Sequence, residues 1–329
     1  MNGFYSLSLS ARATLDLHSL NNEGGEGNQI QTRMVNIVGE DGRMYNVNAI
    51  SGDMWKHIQA EHLFRLAADG RRVPLCEGCR RFDANRISAD TDFQAQLQNR
   101  ETSDADILGS MLRTCAMDDM EGNLLTEGRR SLPRKSVVEF GWVVGVPNLV
   151  ETDSYFHVKY ASERSEGQRV TDGAEEARGA NLGQNIFHRP ASSGVYAIVT
   201  NLELARIGLN DITQEYAISQ DERTDRQRIL LESLLYSFLQ PNGAMRNTQN
   251  PHLVAFEGVV AVSHSPMPAP TISPLCSSYP EQLETIAASL EPLHGGSVKL
   301  HRFASLAQFA QVMADMIESG KPYELAFGG

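Results

Sequence analysis

Apolar and polar positions first alternate over residues 4–15, where Leu7 and Leu9 sit between Ser6, Ser8 and Ser10. That is the period of a strand with one buried face. The following stretch, LNNEGGEGNQIQTR, is rich in Gly and Asn and predicts a mobile loop. The period then changes. In AISGDMWKHIQAEHLFRLAADG, Trp55, Ile58, Leu63 and Leu66 mark one side of a helix, with Ser51 or Asp53 as its cap and Gly70 at its end. Residues 71–135 are polar, Arg-rich and poorly periodic, and predict an inserted lobe. SVVEFGWVVGVP at 136–147 is β-branched and aromatic, a central strand closed by Pro147. Polar, Gly-dotted residues 158–190 predict a projecting loop or long hairpin, and GVYAIVTNLEL at 194–204 another strand. In ERTDRQRILLESLLYSFLQ, residues 222–240, Leu230, Leu234 and Phe238 form one stripe with Leu231, Leu235 and Leu239 beside it. This predicts an amphipathic helix stopped by Pro241 and Gly243. HLVAFEGVVAVS (252–263) predicts a strand, SPMPAPTISP a linker, and the remainder a helix (280–291), a short strand (297–303) and a helix (304–319).

With the insertions removed, the order is strand, helix, strand, strand, helix, strand. This βαββαβ sequence predicts an α+β, ferredoxin-like or RRM-type sandwich, its antiparallel sheet covered by two helices on one face. Residues 1–70, 136–157 and 191–264 make up that unit, 71–135 the inserted lobe, and 265–329 a C-terminal helical extension. The arrangement leaves the second sheet face and the inserted loops free for a ligand, and RRM domains present that face to single-stranded RNA. Enzymes share the fold, so function has to be argued from a site.

Composition narrows the classes. Hydrophobic residues make up 41% and charged residues 21% of 329, an ordinary globular mixture. The sequence has no apolar run of about 18 residues and no basic-then-apolar leader, which predicts a cytoplasmic protein without membrane spans. The net charge of -12 weighs against nucleic-acid binding, because phosphate attracts positive surface. A binder of this composition has to concentrate its cations locally. No HExxH or GxSxG motif occurs, and GGEGN lacks the Gly-Lys-[Ser/Thr] ending of a phosphate loop. Cys76-Glu77-Gly78-Cys79 has the knuckle spacing of a zinc ligand pair. It supplies two ligands, which Cys115, with Asp118 three residues on, would complete into a structural zinc site stapling the lobe. The alternative is a set of free thiols.

Three segments in order resemble one family. The first is Ala11-Arg12-Ala13, then Leu20-Asn21-Asn22-Glu23, Gly27-Asn28 and Arg33. Next come Ile50-Ser51-Gly52-Asp53-Met54-Trp55-Lys56-His57, and then Ser193-Gly194-Val195-Tyr196 leading to Ala205-Arg206-Ile207-Gly208. Together, over roughly the first 260 residues, they resemble the DevR-type backbone subunit of type I CRISPR Cascade effectors of the I-A and I-B kind. The resemblance implies an RRM-like palm, helical fingers and a thumb hairpin. Copies would stack in a helical filament along a guide RNA (crRNA), beside other Cascade subunits, and present its bases to target DNA. Each thumb would flip nucleotides away from pairing at regular intervals.

Under that reading, Ser51 and Gly52 offer helix N-terminal amides to a phosphate, with Lys56 and His57 within about one turn. The plain alternative is an ordinary cap with solvated side chains. Asn22 and Arg33 lie in the preceding loop, which the family resemblance places along the guide. The thumb segment contributes Lys159, Arg164, Arg169, His188 and Arg189, with Ile186 and Phe187 as an apolar wedge, although nearby acids roughly cancel its charge. Asp16 is the nearest counterpart of the cleaving Asp of related type III subunits, but the resemblance implies a passive, non-catalytic scaffold. Two other functions fit the same fold: a ferredoxin-like RNA-processing endonuclease, and an acidic protein-interaction module that binds no nucleic acid.

Overall fold

A computed structural model describes residues 3–27, 29–69, 73–127, 130–160, 184–295 and 297–326. The chain opens with β1 (Ser6–His18), then β2 (Asn22–Glu26), β3 (Gln29–Thr32), β4 (Met34–Val38) and β5 (Met44–Ile50), and enters α1 (Gly52–Ala68). The inserted lobe follows: α2 (Glu77–Arg80), a 3-10 turn at Arg86–Ala89, α3 (Thr91–Gln98), α4 (Asp104–Thr114), α5 (Ala116–Glu121) and the hairpin β6 (Asn123–Glu127) and β7 (Arg130–Arg134). Next come β8 (Val138–Phe140), β9 (Val143–Tyr160), β10 (Gln184–Leu202), the short pair β11 (Leu209–Asn210) and β12 (Glu215–Tyr216), and α6 (Gln220–Leu239). The chain closes with β13 (His252–Ser263), α7 (Tyr279–His294), β14 (Val298–Phe303) and α8 (Leu306–Ser319).

The main sheet runs β14-β13-β1-β10-β9-β5-β4. Its β13-β1-β10-β9 centre, with α1 and α6 on one face, is the βαββαβ sandwich expected from the element order. Alternation in β1 sets that face. Leu7, Leu9, Ala11, Ala13 and Leu15 are buried, and their cross-strand partners Val262, Val260 and Phe256 on β13 point the same way. Against them pack Trp55, Ile58 and Leu63 of α1 and Leu230, Leu234 and Phe238 of α6. Phe238 also meets Phe256 at 4.9 Å and Phe309 of α8 at 5.6 Å between ring centres, which closes this end of the core.

The second sheet face departs from expectation. Over β1 and β13 it is covered, not open to a ligand. Ser6, Ser8 and Ser10 point there, and the Pro-rich segment after β13 lies along them. Ser6 Oγ donates to Met267 O (3.2 Å) and accepts from Ala269 N–H (2.8 Å). Ser8 Oγ donates to Pro270 O (2.6 Å), Ser10 Oγ accepts from Ile272 N–H (3.3 Å), and Arg12 Nε donates to Pro274 O (2.8 Å). The segment's carbonyls at Met267, Pro270 and Pro274 are thus satisfied by side chains of β1, since its prolines lack the N–H to join a strand ladder. Val259 then packs with Tyr279 and Leu283 of α7.

Two further differences are local. The expected mobile loop contains the hairpin β2–β3, because backbone pairing from Asn22↔Thr32 to Glu26↔Gln29 needs no apolar side chains. The lobe, polar and aperiodic as sequence, has a packed interior of Ile87, Phe93, Leu97, Ile107, Leu108 and Met111. Its helices α2, α3 and α5 have 4, 8 and 6 residues, too few turns to show a 3.6-residue repeat.

Candidate nucleic-acid interface

The start of α1 is built from three directions. Ser51 caps the helix, its hydroxyl accepting the Met54 N–H at 3.1 Å. Its own N–H donates to the Asn21 carboxamide at 2.7 Å, and the Asn21 carbonyl accepts from Arg33 N–H and Thr32 Oγ1. The end of β1, the β3–β4 turn and the helix start are thus joined through one buried asparagine. Gly52 has a packing reason: a Cβ there would lie 2.5 Å from the Phe140 carbonyl of β8. Beside this first turn lies a cleft of about 240 Å³ bordered by Gly52, Asp53, Lys56, Ser136, Glu139 and Trp142.

Lys56 does not project freely into that cleft. Its ammonium donates to Glu121 O (2.9 Å) and Ser136 Oγ (2.8 Å) and lies 4.0 Å from the buried Glu121 carboxylate. Burial pulls its pKa down, and Glu121 opposes that shift. The expected phosphate-seeking lysine is therefore engaged in holding the end of α5 and the β7–β8 link to the helix. His57 is exposed and stands beside the Phe82 ring, 5.7 Å between centres, on a second cleft of about 480 Å³ that reaches Arg86 and Cys79.

Arg33 is paired with Glu23 and stacks over Trp142 at 5.4 Å. Asn22 accepts from Ser19 Oγ at 2.7 Å. Lys135, next to Ser136 in the chain, pairs with Glu139 (3.1 Å) and Glu203 (3.3 Å). The concentrated cationic track expected here is thus not what these side chains form, since Arg33, Lys56 and Lys135 each face a carboxylate. What the site leaves exposed is the first turn of α1, His57 and an aromatic surface. Trp142 is 43% exposed in the short link between β8 and β9, next to the buried Val143. The sequence reading placed it in a central strand and missed it; a solvent-facing Trp is the kind of residue that stacks on bases.

Strands β9 and β10 extend beyond the palm as paired arms, from Gly194↔Val150 to Gln184↔Tyr160. Arg164 and Arg169 lie outside the described residues, and Lys159 is described only as backbone of β9. His188 sits opposite Phe156, with ring centres 4.5 Å apart, and Arg189 donates to Thr248 Oγ1 at 3.2 Å. Of the expected wedge, Ile186 is described only as backbone, and Phe187 is half-buried. The arm's exposed aromatic residues are Phe156 (69%) and Tyr155 (46%), which the sequence reading passed over.

Cys76, Cys79 and Cys115 do converge. Together with Asp118 they are buried, with all four ligand atoms within 4.8 Å of one another.

Comparison with known proteins follows this geometry. The model of the family described as CRISPR-associated negative auto-regulator DevR/Csa2 matches residues 9–283. CRISPR-associated protein Cas7/Csa2 1 of Saccharolobus solfataricus is 22% identical over 275 residues, covering 81% of this chain and 82% of that protein. Two solved chains are similar along their length. One comes from a CRISPR RNA-guided surveillance complex (TM-score 0.49, 13% identity, 95% of this chain and 99% of that one). The other comes from such a complex in a pre-nicking state (TM-score 0.46, 10% identity, the same coverage).

Proposed function

We propose the function from one premise: the chain belongs to the CRISPR-associated DevR/Csa2 family. On that premise it is a repeating backbone subunit of a Cascade effector, working in the cytoplasm beside other Cascade subunits. Copies polymerise along crRNA and hold its backbone while the bases pair with target DNA. Sequence recognition then belongs to the RNA, and the protein reads shape and phosphate. The observation that carries this reading is the extent of the family match, 9–283, which takes in the palm, the lobe and both hairpin arms. The guide passes the start of α1, with the Gly52 and Asp53 amides and His57 toward phosphate and Trp142 under a base. The aromatic residues on the β9 arm splay a nucleotide of the next register. The subunit is a scaffold without catalysis of its own, and Asp16 has no cleaving role.

The test is a titration of guide-length single-stranded RNA with the purified chain, read by fluorescence anisotropy and sedimentation. The number of bound copies is expected to rise with RNA length, and the RNA to remain intact. Trp142→Ala should weaken binding about tenfold or more, since base stacking on an aromatic contributes about 1–3 kcal/mol. A chain that purifies free of nucleic acid and ignores RNA at low salt is an interaction module instead. RNA cut during the titration would point to the endonuclease reading.

A further inference from the structure

The strongest unassigned chemistry lies in the lobe, away from the α1 start. The geometry points to a structural Zn²⁺ site formed by Cys76, Cys79, Cys115 and Asp118. Three sulfurs and one carboxylate oxygen within 4.8 Å of one another match the span of a tetrahedral zinc shell, whose Zn–S bonds are about 2.3 Å and Zn–O bonds about 2.0–2.2 Å.

The local backbone is shaped for this purpose. Cys76 stands at the cap of α2, and its sulfur accepts the Cys79 N–H at 3.3 Å, the bond that turns a CxxC pair inward as a knuckle. Gly78, between the two cysteines, packs so closely on the 3-10 turn that a Cβ would lie 2.0 Å from Arg86 O, so only glycine closes this turn. The second ligand pair comes from the α4–α5 junction, where Cys115 separates the helices and Asp118 lies one turn into α5. Ala116 N–H donates to Pro74 O at 2.9 Å, which zips the two ligand-bearing segments together. Asp118 is oriented by Asn123, whose amide nitrogen donates to Oδ1 at 2.5 Å. The other oxygen, Oδ2, then faces Cys76 Sγ (3.6 Å) and Cys79 Sγ (3.5 Å). A side-chain amide fixing a liganding carboxylate is the outer support that metal sites require.

Competing readings fit less well. A disulfide would use two of the sulfurs and leave Asp118 buried against the third. Free thiols would leave an aspartate at 0% exposure with the Asn123 amide and weak, long S–H donors as its partners. A divalent cation replaces these weak contacts with four bonds, and the three-sulfur, one-oxygen set suits zinc better than calcium or magnesium. The cleft past His57 and Phe82 reaches Cys79 and supplies an entry path. The fourth cysteine, Cys276, lies apart against Glu40 and Ser278.

The test uses the full chain, purified through a non-metal affinity tag from zinc-replete cells. Elemental analysis is expected to give about one zinc per chain, unchanged in Cys276→Ser and down at least tenfold in Asp118→Asn and Cys115→Ser. Because Cys115→Ser also alters a fully buried core position, the wild-type chain reloaded with Co²⁺ provides an independent reading. It should show the visible bands of a tetrahedral ion and near-ultraviolet thiolate-to-metal charge transfer. Native thiol titration should find only Cys276 reactive until a mercurial releases three more thiols and the zinc together. Metal-free chain with four reactive thiols after zinc addition overturns the assignment. So does full zinc content in Asp118→Asn combined with a cobalt spectrum lacking thiolate bands.

Discussion

Asp119→Asn should destabilise the chain more than its small change in volume suggests. Asp119 is at 0% exposure, and its carboxylate accepts from Arg134 Nη2 (2.6 Å), Arg226 Nη1 (2.7 Å) and the Gly208 N–H (3.0 Å). Both guanidiniums are fully buried, so the amide leaves each facing a neutral group, with one partly exposed carboxylate left to it, Asp211 for Arg134 and Glu222 for Arg226. Removing one member of such a buried set costs about 3–5 kcal/mol. Unfolding entropy near 2.1 cal/mol/K per residue gives roughly 0.7 kcal/mol/K for a chain of 329 residues. If palm and lobe unfold together, the transition falls by roughly 4–7 °C. Scanning calorimetry at neutral pH reads this directly, with Asp211→Asn as the comparison. Asp211 also holds Arg134 at 2.8 Å but is 32% exposed, and its loss should cost no more than about 1 kcal/mol. An Asp119→Asn chain that melts within about 1 °C of the parent, or no lower than Asp211→Asn, refutes the idea that this carboxylate joins lobe to palm.

Two other outcomes follow from buried groups. His18 is almost fully enclosed, and burial lowers its pKa to about 4. The unfolded chain therefore binds the extra proton between pH 6.5 and 4, and stability present above pH 6.5 is lost as pH falls through that window. By pH 5 the loss is about 2 kcal/mol, and His18→Gln should flatten the acid limb of a denaturant titration by that amount; equal limbs count against it. Gly194 has φ +149° at the β9–β10 bulge, and a Cβ there would lie 2.2 Å from Leu149 O. Gly194→Ala should cost about 1–3 kcal/mol and reduce hydrogen-exchange protection in both arms, whereas Gly42→Ala, with φ +78° but open space, leaves the arms protected.

The palm was legible because its elements are long enough to repeat. β1 shows its period in five alternating apolar positions, and α6 carries a stripe over 20 residues. The strap along β1 was not legible, since SPMPAPTISP carries no period and its bonding partners are serines about 260 residues earlier. The resemblance segments were found, and their residues also have local structural roles that the sequence does not announce. Gly208 presents its N–H to Asp119, Gly52 makes room for Phe140, and Tyr196 donates from its hydroxyl to Asn48 at 2.8 Å. Lys56 read as a solvent cation because nothing in the sequence announces that Glu121, 65 residues on, is buried beneath it. The CxxC pair, by contrast, was readable with both of its distant partners, because cysteine spacing reflects the turn that holds it.

The same displacement of charge limits what the net charge of an acidic chain says about its surface. α5 has six residues and buries three carboxylates, each turned to a different neighbour. Asp118 faces the three cysteines, Asp119 the two guanidiniums of β7 and α6, and Glu121 the ammonium of Lys56 on α1. These acids count toward the net charge of -12 yet present nothing to solvent. Their work is positional. The helix fixes the lobe against the first helix of the palm, and Lys56, anchored on the end of α5, sets the wall of the cleft beside Trp142. Formal charge therefore reports poorly on the field a phosphate would meet here. The geometry of the α1 start depends instead on whether α5 is held at both ends, by the sulfur cluster before it and by the arginines behind it.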